Sequence, residues 1–261
     1  MKKIPTLFER EFKNHKVVVI HPKVTPGLEY VLEDESVIAT IKFDGSCCAI
    51  INGELYKRYD AKKGRKAPEG AIPCCDPDPI TGHHPHWVKC DINNPADKWF
   101  IKAYDNSWMS KRDGTYEAIG PHFNGNPYSL KDDILIEHGF FWVPYSDLSK
   151  LSFETIKKYL ESHDVEGIVF WKDKKPVCKI KRTDFGFKWP IKRNEGDKMK
   201  LTDDEKLLYD SCEEYVKITI LKKMSSSKYD TSNIECAGDD NILELCNRCP
   251  FYNPIFPESQ N

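Results

Sequence analysis

A chain of 261 residues, 39% apolar and 31% charged, is long enough for one main domain plus an appendage and has a globular balance that excludes an intrinsically disordered protein. Its 39 basic residues against 41 acids leave a net charge of −2, which excludes a uniformly basic polyanion binder. No run approaches the roughly 18 apolar residues of a membrane span, and "MKKIPTLFEREFKNHK" has no apolar signal core, so an intracellular protein, cytoplasmic or nuclear, is expected.

Taken in chain order, "VIATIK" (37–42) reads as a strand with Lys42 at its end, followed at once by Phe43, Asp44 and Gly45. "CAII" and "ELYKRY" flank Asn52-Gly53, a dipeptide that predicts a two-residue hairpin because both central residues of its turn need positive φ. From Lys57 to Lys66 there are six basic residues against one acid. Residues 67–98 are rich in Pro, Gly, His and Asp and read as an irregular excursion. Strands resume with "DILIEHGFFW" (133–142). Phe153, Ile156 and Leu160 share one face of a predicted helix near Ser152–Ser162. Two further strands, 165–171 and 176–182, are joined by a turn at "KDKK", and nine basic residues against two acids lie between Lys172 and Arg193. Thr202 and Glu205 form a capping-box pattern that opens a second helix running to about Met224. Strands without regular βα alternation predict an antiparallel α+β domain. The expected division is residues 1–190 as that domain and 191–261 as a mainly helical, cysteine-containing appendage.

The ten cysteines are expected as reduced thiols, given the chain length and the missing signal. Cys212, Cys236, Cys246 and Cys249 have irregular spacing with a single CxxC, so a metal-free tail is expected.

Lys42 is the residue whose placement calls for chemistry. A lysine attacks only as the neutral amine, so its pKa must be lowered by burial or by nearby cations. Strand alternation puts Lys179 and Lys181 on one face, which packing explains poorly and a bound polyphosphate explains well. Glu117 and Glu166 sit beside apolar stretches, where a carboxylate serves a ribose hydroxyl or a hard metal ion. Taken singly, each is better read as a strand-end charge.

"KFDG" resembles motif I of the covalent nucleotidyltransferases, which include ATP-dependent DNA ligases, RNA ligases and capping enzymes. "EAIG", "EHGFFW", "EGIVF" and "KIK" resemble motifs III, IIIa, IV and V, in the same order. "DGSCC", "GHHPHWV", "NGNPYSL" and "FGFKWP" are similar to one branch, the single-domain ATP-dependent 5′-to-3′ RNA ligases. The likeness covers roughly residues 36–190.

The resemblance implies a nucleotidyltransferase domain of antiparallel sheets with flanking helices and no OB-fold. It implies ATP and Mg²⁺ (or Mn²⁺) as cosubstrate and cofactor, and RNA with 5′-phosphate and 3′-hydroxyl ends as partner. By likeness Lys42 is the adenylylated nucleophile and Glu117 the ribose contact. Phe141 is the adenine-stacking ring, with Phe140 and Trp142 as alternatives. Glu166 is a metal-proximal carboxylate, Lys179 and Lys181 are phosphate contacts, and Arg58 is the arginine that follows motif I. Lys62, Lys63, Arg65 and Lys66 form an expected RNA-binding patch. Cys74, Cys75, His83, His84, His86 and Cys90 are expected to be surface and packing residues. Ile41 stands where several RNA ligases carry a glutamate, which bears on metal details. A DNA ligase, a capping-type enzyme and a non-catalytic end-binding module are the competing readings.

Overall fold

The computed structural model describes residues 3–191 apart from 15, 80, 108–110, 144–147 and 149. The expected helix from Thr202, the four tail cysteines and the rest of the appendage lie outside the described residues. In chain order the strands are β1 (Phe8–Lys13), β2 (Lys16–Val24), β3 (Ile38–Lys42), β4 (Ser46–Ile51), β5 (Glu54–Ala61), β6 (Ile72–Pro73), β7 (His84–Lys89), β8 (Gly114–Ile119), β9 (Ile134–Glu137), β10 (Gly167–Lys172) and β11 (Lys175–Lys181). Helix α1 (Lys98–Asn106) lies between β7 and β8, and α2 (Phe153–Ser162) between β9 and β10. The strands form an α+β arrangement of antiparallel sheets: a β1-β2 ribbon, a three-stranded sheet β11-β10-β3 and a six-stranded sheet β6-β7-β5-β4-β8-β9.

Local chemistry accounts for the joints. Asn52 and Gly53 take φ of 52° and 75°, the positive pair the β4–β5 hairpin needs, and Asp173 and Lys174 do the same between β10 and β11 at 50° and 59°. Ser152 caps α2 by accepting from the Thr155 N–H at 3.2 Å, while Thr155 Oγ1 accepts from the Ser152 N–H at 3.0 Å. That helix buries Ile156, Tyr159 and Leu160.

The excursion expected over 67–98 is more ordered than its composition indicates. His84–Lys89 is a strand inside the six-stranded sheet, between β5 and β6, and His86 and Trp87 are buried. Helix α1 is a further departure from the expected elements. The nearest signal is Asn94, whose side chain accepts from the Ala96 N–H and caps the short 3-10 turn Pro95–Asp97 that leads into α1.

Strand alternation splits each sheet into a packed and an open face. In the three-stranded sheet Ile41, Ile168, Phe170, Cys178 and Ile180 point into a core with Leu7, Phe8, Val31 and α2. Cys48, Ile50, Tyr116, Ala118 and Leu135 of the larger sheet pack against α1. Edge pairing extends the small sheet on both sides: the Leu7 N–H donates to the Lys179 carbonyl at 2.9 Å, and the Ile41 N–H to the Phe141 carbonyl at 2.8 Å. No helix among the described residues is long and apolar enough to cross a membrane.

Gly167, at the centre of the small sheet, pairs with both Lys42 and Lys181. A Cβ there would stand 2.3 Å from the Ile180 carbonyl oxygen and 3.0 Å from the Lys181 Cα, and backbone cannot yield as a side chain can. Gly167→Ala is expected to cost about 1–3 kcal/mol of stability and to lower the thermal midpoint by several degrees, read by scanning calorimetry. An unchanged midpoint would contradict that packing.

Candidate active site

The residues of motif I each answer to a different neighbour. Lys42 ends β3 on the open face, whereas Phe43 is buried, edge-on to Tyr128 and Phe141 with ring centroids 5.5 Å away in each case. Asp44 and Gly45 turn the chain toward β4. At Gly45 a Cβ would lie 2.1 Å from the Ala118 carbonyl oxygen, so only glycine admits the close approach of β8. The Gly45 N–H donates to Glu117 at 3.1 Å.

The open face of β3-β10-β11 carries the cations. Because Gly167 has no side chain, Lys42 and Lys181 reach across it to the same carboxylate: Glu166 accepts from Lys42 through Oε2 and from Lys181 through Oε1, the latter at 2.5 Å. Glu166 is 4% exposed, and a carboxylate so buried is held by two ammonium partners. Lys179 lies one pleat along the strand from Lys181. Burial first, then the positive charges of Lys42 and Lys181, push its ammonium down to about 8, against an opposing pull from Glu166.

Opposite stand side chains of the larger sheet. Cys47 pairs with Glu117 across β4 and β8, and Arg58 donates to Asp60 at 2.9 Å. His138 bridges Glu117 Oε2 at 2.9 Å and Thr115 Oγ1 at 3.0 Å. Burial, with Glu117 beside it, pushes the Cys47 thiol up to about 12. The Cys47, Glu117 and His138 donor atoms lie within 4.8 Å of one another, a set able to share a soft divalent ion. A cleft of about 1120 Å³ is lined by residues of both sheets, among them Thr40, Lys42, Cys47, Arg58, Glu117, His138, Trp171 and Lys179. Lys42, Glu117, Arg58 and Lys179 are thus brought together, and Lys181 and Glu166 join them through the Lys42 ion pair.

One expectation is placed differently. Phe141 is 1% exposed and packs edge-on against Phe43 and Phe140, so its ring backs β3 from the core and offers the cleft no face. Trp171, which the sequence did not single out, lines the cleft and donates its indole N–H to Thr40 at 2.8 Å. Lys62, Lys63, Arg65 and Lys66 are exposed in the turn beyond β5. Among the described residues Cys47, Cys48, Cys74, Cys75, Cys90 and Cys178 are free thiols, as expected.

Glu166 is the hard-oxygen donor nearest Lys42, a chemistry that fits Mg²⁺. Both of its oxygens are bonded to ammonium groups, so an ion would take the place of one lysine.

Residues 106–230 match the protein-family model described as RNA ligase 1. The chain resembles the RNA ligase 1 family. RNA ligase 1 of Pongo abelii is 24% identical over 227 residues, an alignment that takes in 60% of this chain and 69% of that protein. The RNA ligase 1 match takes in Glu117, His138, Glu166, Lys179 and Lys181, and begins C-terminal to Lys42. At family level the likeness supports an RNA ligase, with RNA as the substrate class.

Proposed function

We propose that the chain is an ATP-dependent RNA ligase that joins 5′-phosphate to 3′-hydroxyl RNA ends, in RNA repair. The observation that carries this reading is the pairing of Lys42 and Lys181 across Gly167 on three strands, both held by Glu166, with Lys179 and Glu117 lining the same cleft as Lys42. Attack needs a neutral Lys42 amine, and Glu166, already accepting from that Nζ, is the group placed to take its proton. The amine nitrogen then bonds the α-phosphorus of ATP while the bond to the bridging oxygen breaks and pyrophosphate leaves. AMP next passes to an RNA 5′-phosphate, which frees Lys42, and a 3′-hydroxyl displaces that AMP to seal the strand. Lys179, Lys181 and Arg58 offset phosphate charge as it grows. Glu117, fixed by Gly45 and His138, presents its carboxylate to the ribose. Trp171 offers the cleft wall an aromatic ring for the base. Mg²⁺, held through Glu166, would supply further charge neutralisation at the phosphates. The direct test pairs 5′-phosphate and 3′-hydroxyl RNA strands with ATP; sealing of these but not of 5′-hydroxyl strands or DNA is expected. Equal sealing of DNA would contradict the RNA assignment.

Lys179 makes the binding step pH-dependent. With its pKa near 8, free protein above that pH holds Lys179 largely neutral, whereas bound phosphate favours the ammonium. ATP binding at pH 8.5 is therefore expected to take up protons, measured by calorimetry in buffers of different ionisation enthalpy. Lys179→Arg, charged throughout, should lose that uptake, and uptake that persists would place the titrating group elsewhere.

The patch of Lys62, Lys63, Arg65 and Lys66 is exposed, with the Lys63 side chain against Gly82 in the loop that lines the cleft through Cys75–Asp78. Replacing all four with Gln is expected to weaken RNA binding and to flatten its salt dependence, the slope falling by up to about 0.7 for each phosphate that is no longer neutralised. An unchanged slope removes the patch from the RNA path.

A further inference from the structure

Two sequence stretches have no part in that chemistry, "NGNPYSL" after β8 and "FGFKWP" after β11, and both converge on Asp44. Asn124 Nδ2 donates to Asp44 Oδ1 at 2.7 Å and to the Gly45 carbonyl at 2.8 Å. Trp189 Nε1 donates to Asp44 Oδ2 at 2.7 Å. The Asp44 N–H donates to the Tyr128 hydroxyl at 2.6 Å, and the Tyr128 ring lies 5.5 Å from Phe43 and 5.9 Å from Trp189 between centroids. Both carboxylate oxygens and the N–H of a residue two places from Lys42 are thereby tied to residues 80, 145 and 84 positions away. Asn124 itself sits at φ 44°, and its loop is braced by Asn126, which donates to the Leu130 carbonyl and accepts from the Leu130 N–H, both at 2.9 Å.

We infer that Asn124 and Trp189 are positioning residues for the Lys42 nucleophile, acting through Asp44. This rests on the lysyl-AMP reading. Phe43 pins the chain from the core side and Asp44 from the other, so the Lys42 backbone keeps one orientation toward the cleft. Neither positioning residue lines that cleft. Loss of their bonds frees the β3–β4 turn, and a small displacement of a nucleophile costs orders of magnitude in rate.

The test uses the full chain with Asn124→Gly, which suits positive φ, Trp189→Phe, which keeps the ring and deletes the donor, and Asp44→Ala. Four quantities are read: the single-turnover rate of lysyl-AMP formation at saturating ATP, the KM for ATP, the thermal midpoint, and sealing of a pre-adenylylated RNA strand, which needs no attack by Lys42. Both single variants are expected to slow lysyl-AMP formation by about tenfold to a hundredfold, with KM changed by less than about threefold. Sealing of pre-adenylylated RNA should be kept, and neither change should add to the loss in an Asp44→Ala background. Equal loss of both steps would mean a merely structural role and overturns the inference, as does full additivity with Asp44→Ala. Lysyl-AMP formed at the wild-type rate by both variants overturns the inference alone. A wild-type chain that forms no lysyl-AMP overturns the ligase reading and the inference with it.

Discussion

Lys42→Ala is expected to abolish transfer of AMP to the protein and to leave the fold intact. The side chain ends β3 at the cleft, and the strand pairs Ile41–Ile168 and Ala39–Phe170 hold without it. Glu166 keeps Lys181 as partner, so its carboxylate is not stranded, and a thermal midpoint within a few degrees of wild type is expected. ATP-dependent joining falls to background, while sealing of RNA already carrying AMP survives, because that step needs the cleft but no amine. A competing nucleophile inside the cleft is Lys179, whose ammonium is held down to about 8 and so loses its proton readily. Geometry favours Lys42, whose Nζ already donates to the carboxylate that would take its proton. Peptide mapping separates the two. An AMP adduct that persists in Lys42→Ala and maps to Lys179 would contradict the assignment.

Glu166→Gln is expected to slow lysyl-AMP formation by about a hundredfold or more, the usual scale of a lost proton acceptor. Gln keeps the shape and one acceptor oxygen but removes the charge that faces Lys42 and Lys181. Lys42, Lys179 and Lys181 then sit near one another without that anion. Lys179 loses the Glu166 charge that raises its pKa, so it should titrate below about 8, which shifts the pH at which ATP binding takes up protons downward. The stability cost is expected near 1–3 kcal/mol, less than for a fully buried pair, because the Lys42 and Lys181 side chains are 21% and 35% exposed and can turn to water. A variant with wild-type kinetics would mean that Lys42 loses its proton to solvent or to another group.

Much of this was legible in the sequence where local chemistry decides structure. The Asn52-Gly53 turn, the Asp173-Lys174 turn and the face of α2 follow from backbone preference and periodicity, and alternation alone puts Lys179 and Lys181 on one side of β11. Elsewhere tertiary context overrides local signals. "GHHPHWV" has the composition of a loop, yet β5 and β6 flank it and supply the hydrogen bonds that make it a strand. Three successive aromatics at 140–142 give no basis for choosing the ring that meets the cleft, and Phe43, itself part of motif I, draws Phe141 into the core. His138 lies inside a recognised motif, but its hold on Glu117 depends on the β8–β9 register. The grip of Asn124 and Trp189 on Asp44 spans 80 and 145 residues, a separation at which no spacing rule operates.

The central claim, that Lys42 is planted at the end of β3 to be adenylylated, is tested most directly by intact-protein mass spectrometry. The wild-type chain, first freed of any bound AMP with excess pyrophosphate, is incubated with Mg²⁺ and either ATP or GTP, and the adduct is mapped. One AMP per chain from ATP, none from GTP, and its location on Lys42 are the expected results. A GMP adduct, an adduct on another lysine, or no adduct from either nucleotide would contradict the claim.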